Sequence, residues 1–297
     1  MDIYVKKAII HQFSPDDTDL YLADKFLNIT PKIEEYLRKK IERVYSDEAR
    51  TGIFEEDNPF LEMISDDLLE TSVAVANRWK EEFVVSENQK TNDLVFVQFS
   101  KEGVEHFAFL RIALRETLTH LGGEVDNPIK LTQNNLPGFG TSADEALVIN
   151  LQSRKYHLIE KRIKYNGTFL NYFSENLLQA QPKISPKKSI KALEKTAQKI
   201  AESFNTDDFQ FQSKVKSAIF NHIEEENKLS PEKLADDLFD DNLTARLSFI
   251  DQVKEAVPEP VTFEEIDASR QLKKFENQKL SLSNGIELIV PNNVYED

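Results

Sequence analysis

Hydrophobic and polar residues change their spacing several times along the chain, and each change predicts a new element. The segment 3–10 predicts a short strand, and apolar side chains then recur at helical spacing through 31–44, behind a Thr30-Pro31 helix-start signal. From Ser65 a second, longer set of apolar positions has the same spacing, namely Leu68, Leu69, Val73, Ala76, Trp79 and Phe83. This set predicts one long amphipathic helix.

The spacing then becomes that of β-strands. Residues 92–114 contain two β-rich runs joined by the polar stretch 100–103, and residues 145–163 repeat the arrangement with a turn at 152–155. Each pair of runs predicts an antiparallel hairpin. The segment between the pairs, 121–144, contains four glycines and two prolines, and we expect it to form a long loop.

Helical spacing returns in 168–178 and predominates to near the C-terminus. There, residues 279–290 predict a final β-hairpin around an Asn284-Gly285 turn, because this dipeptide favours the tight two-residue connection. The predicted fold class is therefore α+β. Antiparallel β-hairpins packed by helices make up the N-terminal part, and a mostly helical C-terminal region ends in a short β-hairpin.

The stretch 182–186, PKISP, predicts a domain boundary, because two prolines and a change of pattern coincide there. We expect an α+β domain with an antiparallel sheet at 1–181 and a helical domain with the terminal hairpin at 182–297. A chain of 297 residues is long enough for two domains of ordinary size.

Composition places the chain among globular proteins that fold without covalent cross-links. Hydrophobic residues make up 40% of the chain and aromatic residues 10%, so a sizeable core can form. Cysteine is absent, which excludes disulfides and thiolate metal sites and fits a reducing cytosol. The start, MDIYVKKAIIHQF, does not have the shape of a signal peptide, and no apolar run approaches the ~20 residues of a spanning helix. We expect a soluble, cytoplasmic protein.

Charge is distributed unevenly along the chain. The formal net charge is -15, yet residues 154–199 hold 11 basic and 3 acidic residues, a local net charge of +8. An acidic surface repels polyanions such as nucleic acids and anionic membranes. The segment 154–199 reverses that sign locally.

Much of this positive charge follows one face of a predicted helix. With residues 186–204 placed on a helix, the apolar positions on one side are Ile190, Leu193, Ala197, Ile200 and Phe204. The basic positions on the opposite side are Lys188, Lys191, Lys195 and Lys199, with Lys187 beside them. A solvated helix face is the simpler interpretation, but Lys187 and Lys188 lie in the first turn, where the helix dipole disfavours cations.

A second basic group lies just before this helix in the sequence. Its members are Arg154, Lys155, Lys161, Arg162 and Lys164. If the fold brings the two groups together, they form one basic surface that would bind nucleic acid in a salt-dependent manner. Rings interleaved with these charges could stack on unpaired bases or belong to the core: Tyr156, His157, Tyr165, Phe169 and Tyr172.

Catalytic and metal-binding patterns do not emerge from the sequence. The five histidines are scattered, and the segment 136–144, LPGFGTSAD, lacks the Lys-Ser/Thr ending of a phosphate-binding loop. We expect Thr141 and Ser142 to cap or turn the chain. The acidic segment 235–241 does not match the calcium-loop spacing and is most simply a solvated helix end. We expect no catalytic residues, no metal and no cofactor.

Several segments, in order, resemble the bacterial nucleoid-associated protein family, in its NdpA-like, thirty-seven-kilodalton group. They are KKAIIHQF, GIF at 52–54, DLVFVQFSKEGVEHFAFLRI, NNLPGFGTSADEALVI, FLNYFSENLL and GIELIVPNNVYED. The resemblance implies a cytoplasmic protein located with the nucleoid, nucleic-acid binding, and no enzymatic reaction. It brings no agreed set of functional residues, and the strongly acidic composition of this chain fits poorly with a protein that coats DNA.

Two functional hypotheses follow. The first is a non-enzymatic nucleoid-associated protein that binds nucleic acid, most simply DNA, through the basic surface within 154–199. The alternative is an acidic adaptor that reaches the nucleoid by binding a DNA-working protein through Asp236, Asp237, Asp240 and Asp241. Under either hypothesis we expect no membrane partner and a homodimer, the default symmetry for a soluble bacterial protein.

Overall fold

The computed structural model describes residues 1–16, 18–85, 90–120, 129–165, 167–204, 209–263, 268–269, 272–273, 275, 277–281 and 287–291. Its internal contacts divide the chain into two compact units, Met1–Lys183 and Ile184–Asp297. The division falls inside the proline-containing stretch 182–186. Whether each unit is an independently folding domain stays a prediction.

Unit 1 is built on a seven-stranded antiparallel sheet with the strand order β2-β1-β4-β5-β8-β9-β3. Its elements are, in chain order, β1 (Ile3–Ser14), β2 (Asp19–Tyr21), α1 (Pro31–Glu42), a 3-10 turn (Arg43–Tyr45), β3 (Arg50–Ile53), α2 (Pro59–Glu62), α3 (Leu68–Phe83), β4 (Asn92–Lys101), β5 (Val104–Ala113), β6 (Arg115–His120), β7 (Ile129–Asn135), β8 (Glu145–Asn150), β9 (Lys155–Ile159), β10 (Ile163–Tyr165), β11 (Thr168–Leu170) and a π-helix (Phe173–Leu177).

Helices cover both faces of this sheet, which explains why the central strands are apolar at almost every position. In β4, Val95 and Val97 belong to one buried cluster together with Leu37 of α1. The alternate position Phe96 belongs to a second cluster, on the opposite face, together with Trp79 of α3. The predicted hairpins β4-β5 and β8-β9 are both confirmed.

The helix start predicted at Thr30-Pro31 is confirmed by a capping contact. The Thr30 hydroxyl accepts the backbone N–H of Ile33, and Pro31 occupies the first turn of α1. Helix α3 begins at Leu68, where Asp67 is the N-cap.

Two sequence-based expectations for unit 1 are corrected. The segment 121–144 is not one long loop, because β7 pairs with β6 in a separate two-stranded ribbon. Both strands of this ribbon are largely solvent-exposed, so they lack the hydrophobic alternation that would predict them. Residues 121–128 lie outside the described part of the chain.

The segment 168–178 is likewise not one α-helix. Its first residues form β11, which pairs with β10, and a single π-helical turn follows. Ile163 and Leu170, which are paired across the two strands, pack with the main core of unit 1. This packing of a non-local strand pair overrides the helical spacing of the segment.

The packing around Gly52 explains the glycine of the GIF segment at 52–54. It pairs with Tyr156 across β3 and β9, and a Cβ atom at Gly52 would lie 2.3 Å from the Tyr156 hydroxyl. The tyrosine therefore lies over the glycine backbone, where no larger residue fits without displacing it.

Unit 2 is helical and ends in a short hairpin. Its elements are α4 (Pro186–Ser203), α5 (Phe209–Glu226), β12 (Lys228–Leu229), α6 (Pro231–Leu238), α7 (Leu243–Ala256), β13 (Val261–Thr262), β14 (Asn277–Ser281) and β15 (Glu287–Pro291). Helices α4, α5, α6 and α7 share one core, with Leu193, Ile219, Leu234 and Phe249 buried together. β14 and β15 pair antiparallel, and the predicted turn at Asn284-Gly285 lies outside the described residues. The α+β fold class is confirmed.

His11 is a buried imidazole held in its neutral form. Its Nδ1 accepts the backbone N–H of Ala23 at 3.0 Å, and its Nε2 lies 2.9 Å from the Ser72 hydroxyl oxygen. Because Nδ1 is an acceptor, the ring proton is on Nε2. Burial lowers the pKa of His11 to about 4.

We expect His11 to destabilise unit 1 as the pH falls from about 6.5 to about 4. In this window the unfolded chain binds a proton at the imidazole and the native protein does not, so the free energy of unfolding falls by about 3 kcal/mol. Chemical denaturation of wild type and His11→Asn at pH 7 and pH 4 measures this difference. Between the two pH values, the free energy of unfolding of the variant should fall by about 3 kcal/mol less than that of wild type. Asp93, whose pKa burial raises to about 6, is present in both proteins and cancels in the difference. Equal losses in the two proteins would contradict the assignment.

Candidate nucleic-acid interface

Helix α4 presents one apolar face and one basic face, as its sequence predicts. Ser185 is the N-cap and Pro186 is in the first turn, and the apolar side packs into the core of unit 2. The buried positions are Ser189, Ile190, Leu193, Ala197, Ile200 and Ala201. Because this face is anchored, the opposite side of the helix has a fixed orientation relative to the unit.

Four lysines on the opposite face form what we term the lysine row: Lys188, Lys191, Lys195 and Lys199. All four are exposed, while the neighbouring Lys187 is half-buried. Their spacing of three, four and four residues keeps them on one side of the helix along about 16 Å of its axis. No ion pair within 4 Å joins any of the four to an acidic side chain of the described residues.

Two acids, Glu194 and Glu202, interrupt the basic side of α4 in the sequence. Glu202 is exposed and follows Lys199 by three residues. The Glu194 side chain is half-buried, and burial raises its pKa, an effect that Lys216 and Lys191 oppose. The first turn of α4 contains no acid at all. The positive end of the helix dipole therefore adds to the charge of Lys188.

The basic group of unit 1 is more strongly engaged by its neighbours. Arg154 lies 3.9 Å from a carboxylate oxygen of Glu56, and Lys161 lies 3.3 Å from Asp144. Arg162 donates to the backbone carbonyl of Phe169 at 2.6 Å. Lys155 and Lys164 are exposed. Nearby carboxylates thus partly neutralise Arg154 and Lys161, and a backbone carbonyl accepts a hydrogen bond from Arg162.

The two predicted basic groups belong to different units. The group at 154–164 lies in unit 1, and the lysine row with Lys187 lies in unit 2. Their union in one continuous surface therefore stays a prediction. Among the described residues, the lysine row forms no ion pair within 4 Å, whereas Arg154 and Lys161 of the other group each do.

Burial separates the rings that the sequence interleaves with these charges. Tyr156 and Tyr172 are fully buried and His157 is 8% exposed, so these three belong to the core and cannot stack on bases. Phe169 is 56% exposed. The side chain of Tyr165 lies outside the described part.

The glycine-containing loop at 136–144 surrounds the side-chain ammonium group of Lys40. The Lys40 ammonium, which is fully buried, donates to the carbonyls of Gly138 at 2.9 Å and Thr141 at 2.7 Å, and to the Thr141 hydroxyl at 3.0 Å. Burial, together with Arg43 and Arg115, lowers the pKa of Lys40 to about 8. Since the loop directs carbonyl oxygens inward, it is not suited to hold a phosphate, and Thr141 caps a turn by donating to Gly138.

Basic side chains of unit 2 lie close to most of the acidic residues of the adaptor hypothesis. Asp236 pairs with Arg246 at 3.0 Å, Asp237 with His222 at 2.6 Å, and Asp240 with Lys214 at 3.5 Å. A docking surface that includes Asp241 stays a prediction. Among the residues described, no group of three or more His, Asp or Glu side chains is placed to hold a metal ion, and no helix is long and apolar enough to cross a membrane.

One polar cluster has no counterpart in the sequence-based hypotheses. Arg111 of β5 donates to Glu145 of β8 at 2.7 Å and to Asn92 of β4 at 2.9 Å, and all three residues are buried. The Tyr172 hydroxyl donates to the same carboxylate and accepts from the Trp79 indole at 3.0 Å. The cluster ties the sheet to α3 and to the start of the π-helix. An arginine within the apolar run of β5 is the sequence signal that could have revealed it.

A comparison with protein families places the chain. The family model described as nucleoid-associated protein YejK matches residues 9–294, which is nearly the whole chain. The comparison with curated proteins found no match.

Proposed function

We propose that this chain, which belongs to the nucleoid-associated protein YejK family, binds the phosphate backbone of duplex DNA through the lysine row of α4 and catalyses no reaction. Membership of this family supports a location with the nucleoid. The observation that carries the proposal is the lysine row itself. It presents four exposed ammonium groups, none of which forms an ion pair within 4 Å in the part of the chain that the structure describes, on a protein whose net charge is -15.

The surrounding acidity supports a single mode of contact. An acidic surface repels a polyanion, so DNA approaches productively only where the local charge is positive. Lysine ammonium groups are point charges that bind phosphates without reading bases. The proposed binding is therefore electrostatic and largely independent of sequence.

The proposal includes a homodimer that is located with the nucleoid in the cytoplasm. A two-fold symmetric dimer would carry two lysine rows, and so would double the number of phosphate contacts that one protein molecule makes. Two rows held at a fixed separation also raise the effective concentration of the second contact once the first has formed.

We expect affinity for duplex DNA to fall steeply with salt. Four phosphate contacts give a log-log slope of about -3.6, so that raising the salt from 50 to 200 mM weakens binding about 150-fold. Fluorescence anisotropy with a labelled duplex of mixed sequence, titrated with the full chain at several salt concentrations, measures the slope. A slope near -7 would indicate that both rows of a dimer bind one duplex.

The result that would overturn the proposal is a slope near zero, or no binding at 50 mM salt. Either would leave the lysine row a solvated helix face. The acidic adaptor would then be the hypothesis to pursue, with Asp236, Asp237, Asp240 and Asp241 as its test positions.

A further inference from the structure

The hairpin of β10 and β11 in unit 1 holds an exposed aromatic ring among cations. Phe169 is 56% exposed, although it lies at the centre of a strand in a protein that buries most of its phenylalanines. A single exposed apolar side chain is common on protein surfaces. The chemistry around this one distinguishes it.

Strand alternation explains the orientation of Phe169. Ile163 and Leu170 are paired across the hairpin, and both pack with the core of unit 1. The adjacent pair, Lys164 and Phe169, must therefore lie on the opposite, outward face, because neighbouring side chains of a strand point to opposite sides. Directly paired residues share a face, so the Lys164 side chain emerges beside the ring.

Two further cations flank this pair. Arg162 is exposed, and its guanidinium donates to the carbonyl of Phe169 itself at 2.6 Å, which places it at the edge of the same strand. Lys161 is exposed as well and pairs with Asp144 at 3.3 Å. The guanidinium of Arg162 has five N–H donors, and this one bond leaves others for a second acceptor.

We infer that Phe169 is a stacking platform for an unpaired base of single-stranded DNA, with Lys164 and Arg162 contacting the adjoining phosphates. The inference rests on the proposed function in that it takes nucleic acid as the ligand of this protein, but it assigns a separate site and a separate strand form. An exposed ring beside cations fits a ligand that alternates flat apolar bases with negative charges. An apolar protein partner would have no use for the cations, and an isolated ring offers it little area to bury.

The geometry also predicts which strand form the site selects. Bases in a duplex are stacked on one another and are not accessible to a ring on a protein surface, whereas bases of a single strand are. Every base has a flat face, so the site tolerates any sequence. Phe169 should therefore contribute to binding of single strands and contribute little to binding of duplexes.

The test compares two phenylalanine variants of the full chain. Phe169→Leu removes the ring while keeping an apolar side chain, and Phe26→Leu does the same at another exposed phenylalanine that has a lysine close by, since Lys7 lies 5.4 Å from the centre of its ring. Each protein is titrated against labelled oligo-dT, oligo-U and a duplex of equal length at fixed salt. Circular dichroism checks that both variants are folded.

We expect Phe169→Leu to weaken oligo-dT binding by about 5-fold or more, up to about 150-fold. Duplex affinity should stay within about 2-fold of wild type, and Phe26→Leu should leave all three affinities unchanged. Phe169→Tyr, which keeps an aromatic face, should retain oligo-dT binding.

The failure of this inference is distinguishable from that of the proposed function. Unchanged oligo-dT affinity in Phe169→Leu, with salt-sensitive duplex binding intact, would overturn the stacking site alone. Oligo-dT binding that depends on Phe169, in a protein that does not bind duplex, would overturn the lysine-row proposal and support the site. A larger loss on oligo-U than on oligo-dT would overturn the assignment to DNA in favour of RNA.

Discussion

Replacing Lys188, Lys191, Lys195 and Lys199 together by glutamate is expected to weaken duplex binding by at least about 100-fold at 50 mM salt. The salt relation gives the physical reason. With a slope of about -3.6, four released counterions account for roughly 5 × 10⁴-fold of affinity at 50 mM relative to 1 M salt. The variant loses these contacts and adds four carboxylates that repel the phosphates. Fluorescence anisotropy with the same duplex measures the effect.

The substitutions should leave unit 2 folded. All four side chains are exposed and lie opposite the buried face of α4. A glutamate at 188 lies in the first turn, where the helix dipole favours an acid, whereas a glutamate at 199 lies near the other end, where the dipole disfavours it. Each effect is a few tenths of a kcal/mol and they oppose one another, so we expect thermal unfolding close to that of wild type.

A matched variant separates a local site from the overall charge. Lys25, Lys32, Lys90 and Lys254 are exposed lysines outside 154–199, and their replacement by glutamate shifts the net charge from -15 to about -23, as the first variant does. Duplex affinity of this control should stay within about 10-fold of wild type, because its four positions lie outside the proposed site and change only the overall charge, whose long-range effect is screened by salt. Equal losses in the two variants would assign the effect to net charge and remove the lysine row as a site.

The lysine row could be predicted from the sequence because every determinant of it is local. The helix start at Ser185-Pro186, the apolar spacing and the opposite lysines all fall within 20 residues, and the helical period alone fixes which side chains share a face. The contacts that occupy the second basic group could not be predicted. Glu56 lies about 100 residues before Arg154 in the chain, and only the pairing of β3 with β9 brings their regions together.

The sheet shows the same limit. Hairpins β4-β5 and β8-β9 were predictable because two apolar runs flank a short turn, a signal contained in one segment. The positions of β1 beside β4 and of β3 at the edge beside β9 depend on contacts between distant segments. The ribbon of β6 and β7 was missed because neither of its faces is buried in the unit, so that no alternation of apolar and polar residues marks it.

Arg111→Met is expected to lower the free energy of unfolding by about 3–5 kcal/mol, the typical cost of removing one partner of a buried ion pair. The substitution would leave the Glu145 carboxylate in the interior with only the Tyr172 hydroxyl bound to it, since Oε1 of Glu145 already has no hydrogen-bond partner. Burial opposes the charge on Arg111, but Glu145 and Tyr172 more than offset this and raise its pKa, so the arginine stays charged at any working pH.

Chemical denaturation of three variants identifies the unpaired charge as the cause. The double variant Arg111→Met with Glu145→Gln buries no charge, and its amide oxygen still accepts from Tyr172, so it should be more stable than the single variant by about 2 kcal/mol or more. Arg246→Met removes the half-buried partner of the exposed Asp236 in unit 2 and should cost no more than about 1 kcal/mol. A double variant no more stable than Arg111→Met would show that lost packing, rather than an uncompensated carboxylate, sets the cost. The cluster would then act as a spacer between β5, β8 and the π-helix and not as an electrostatic tie.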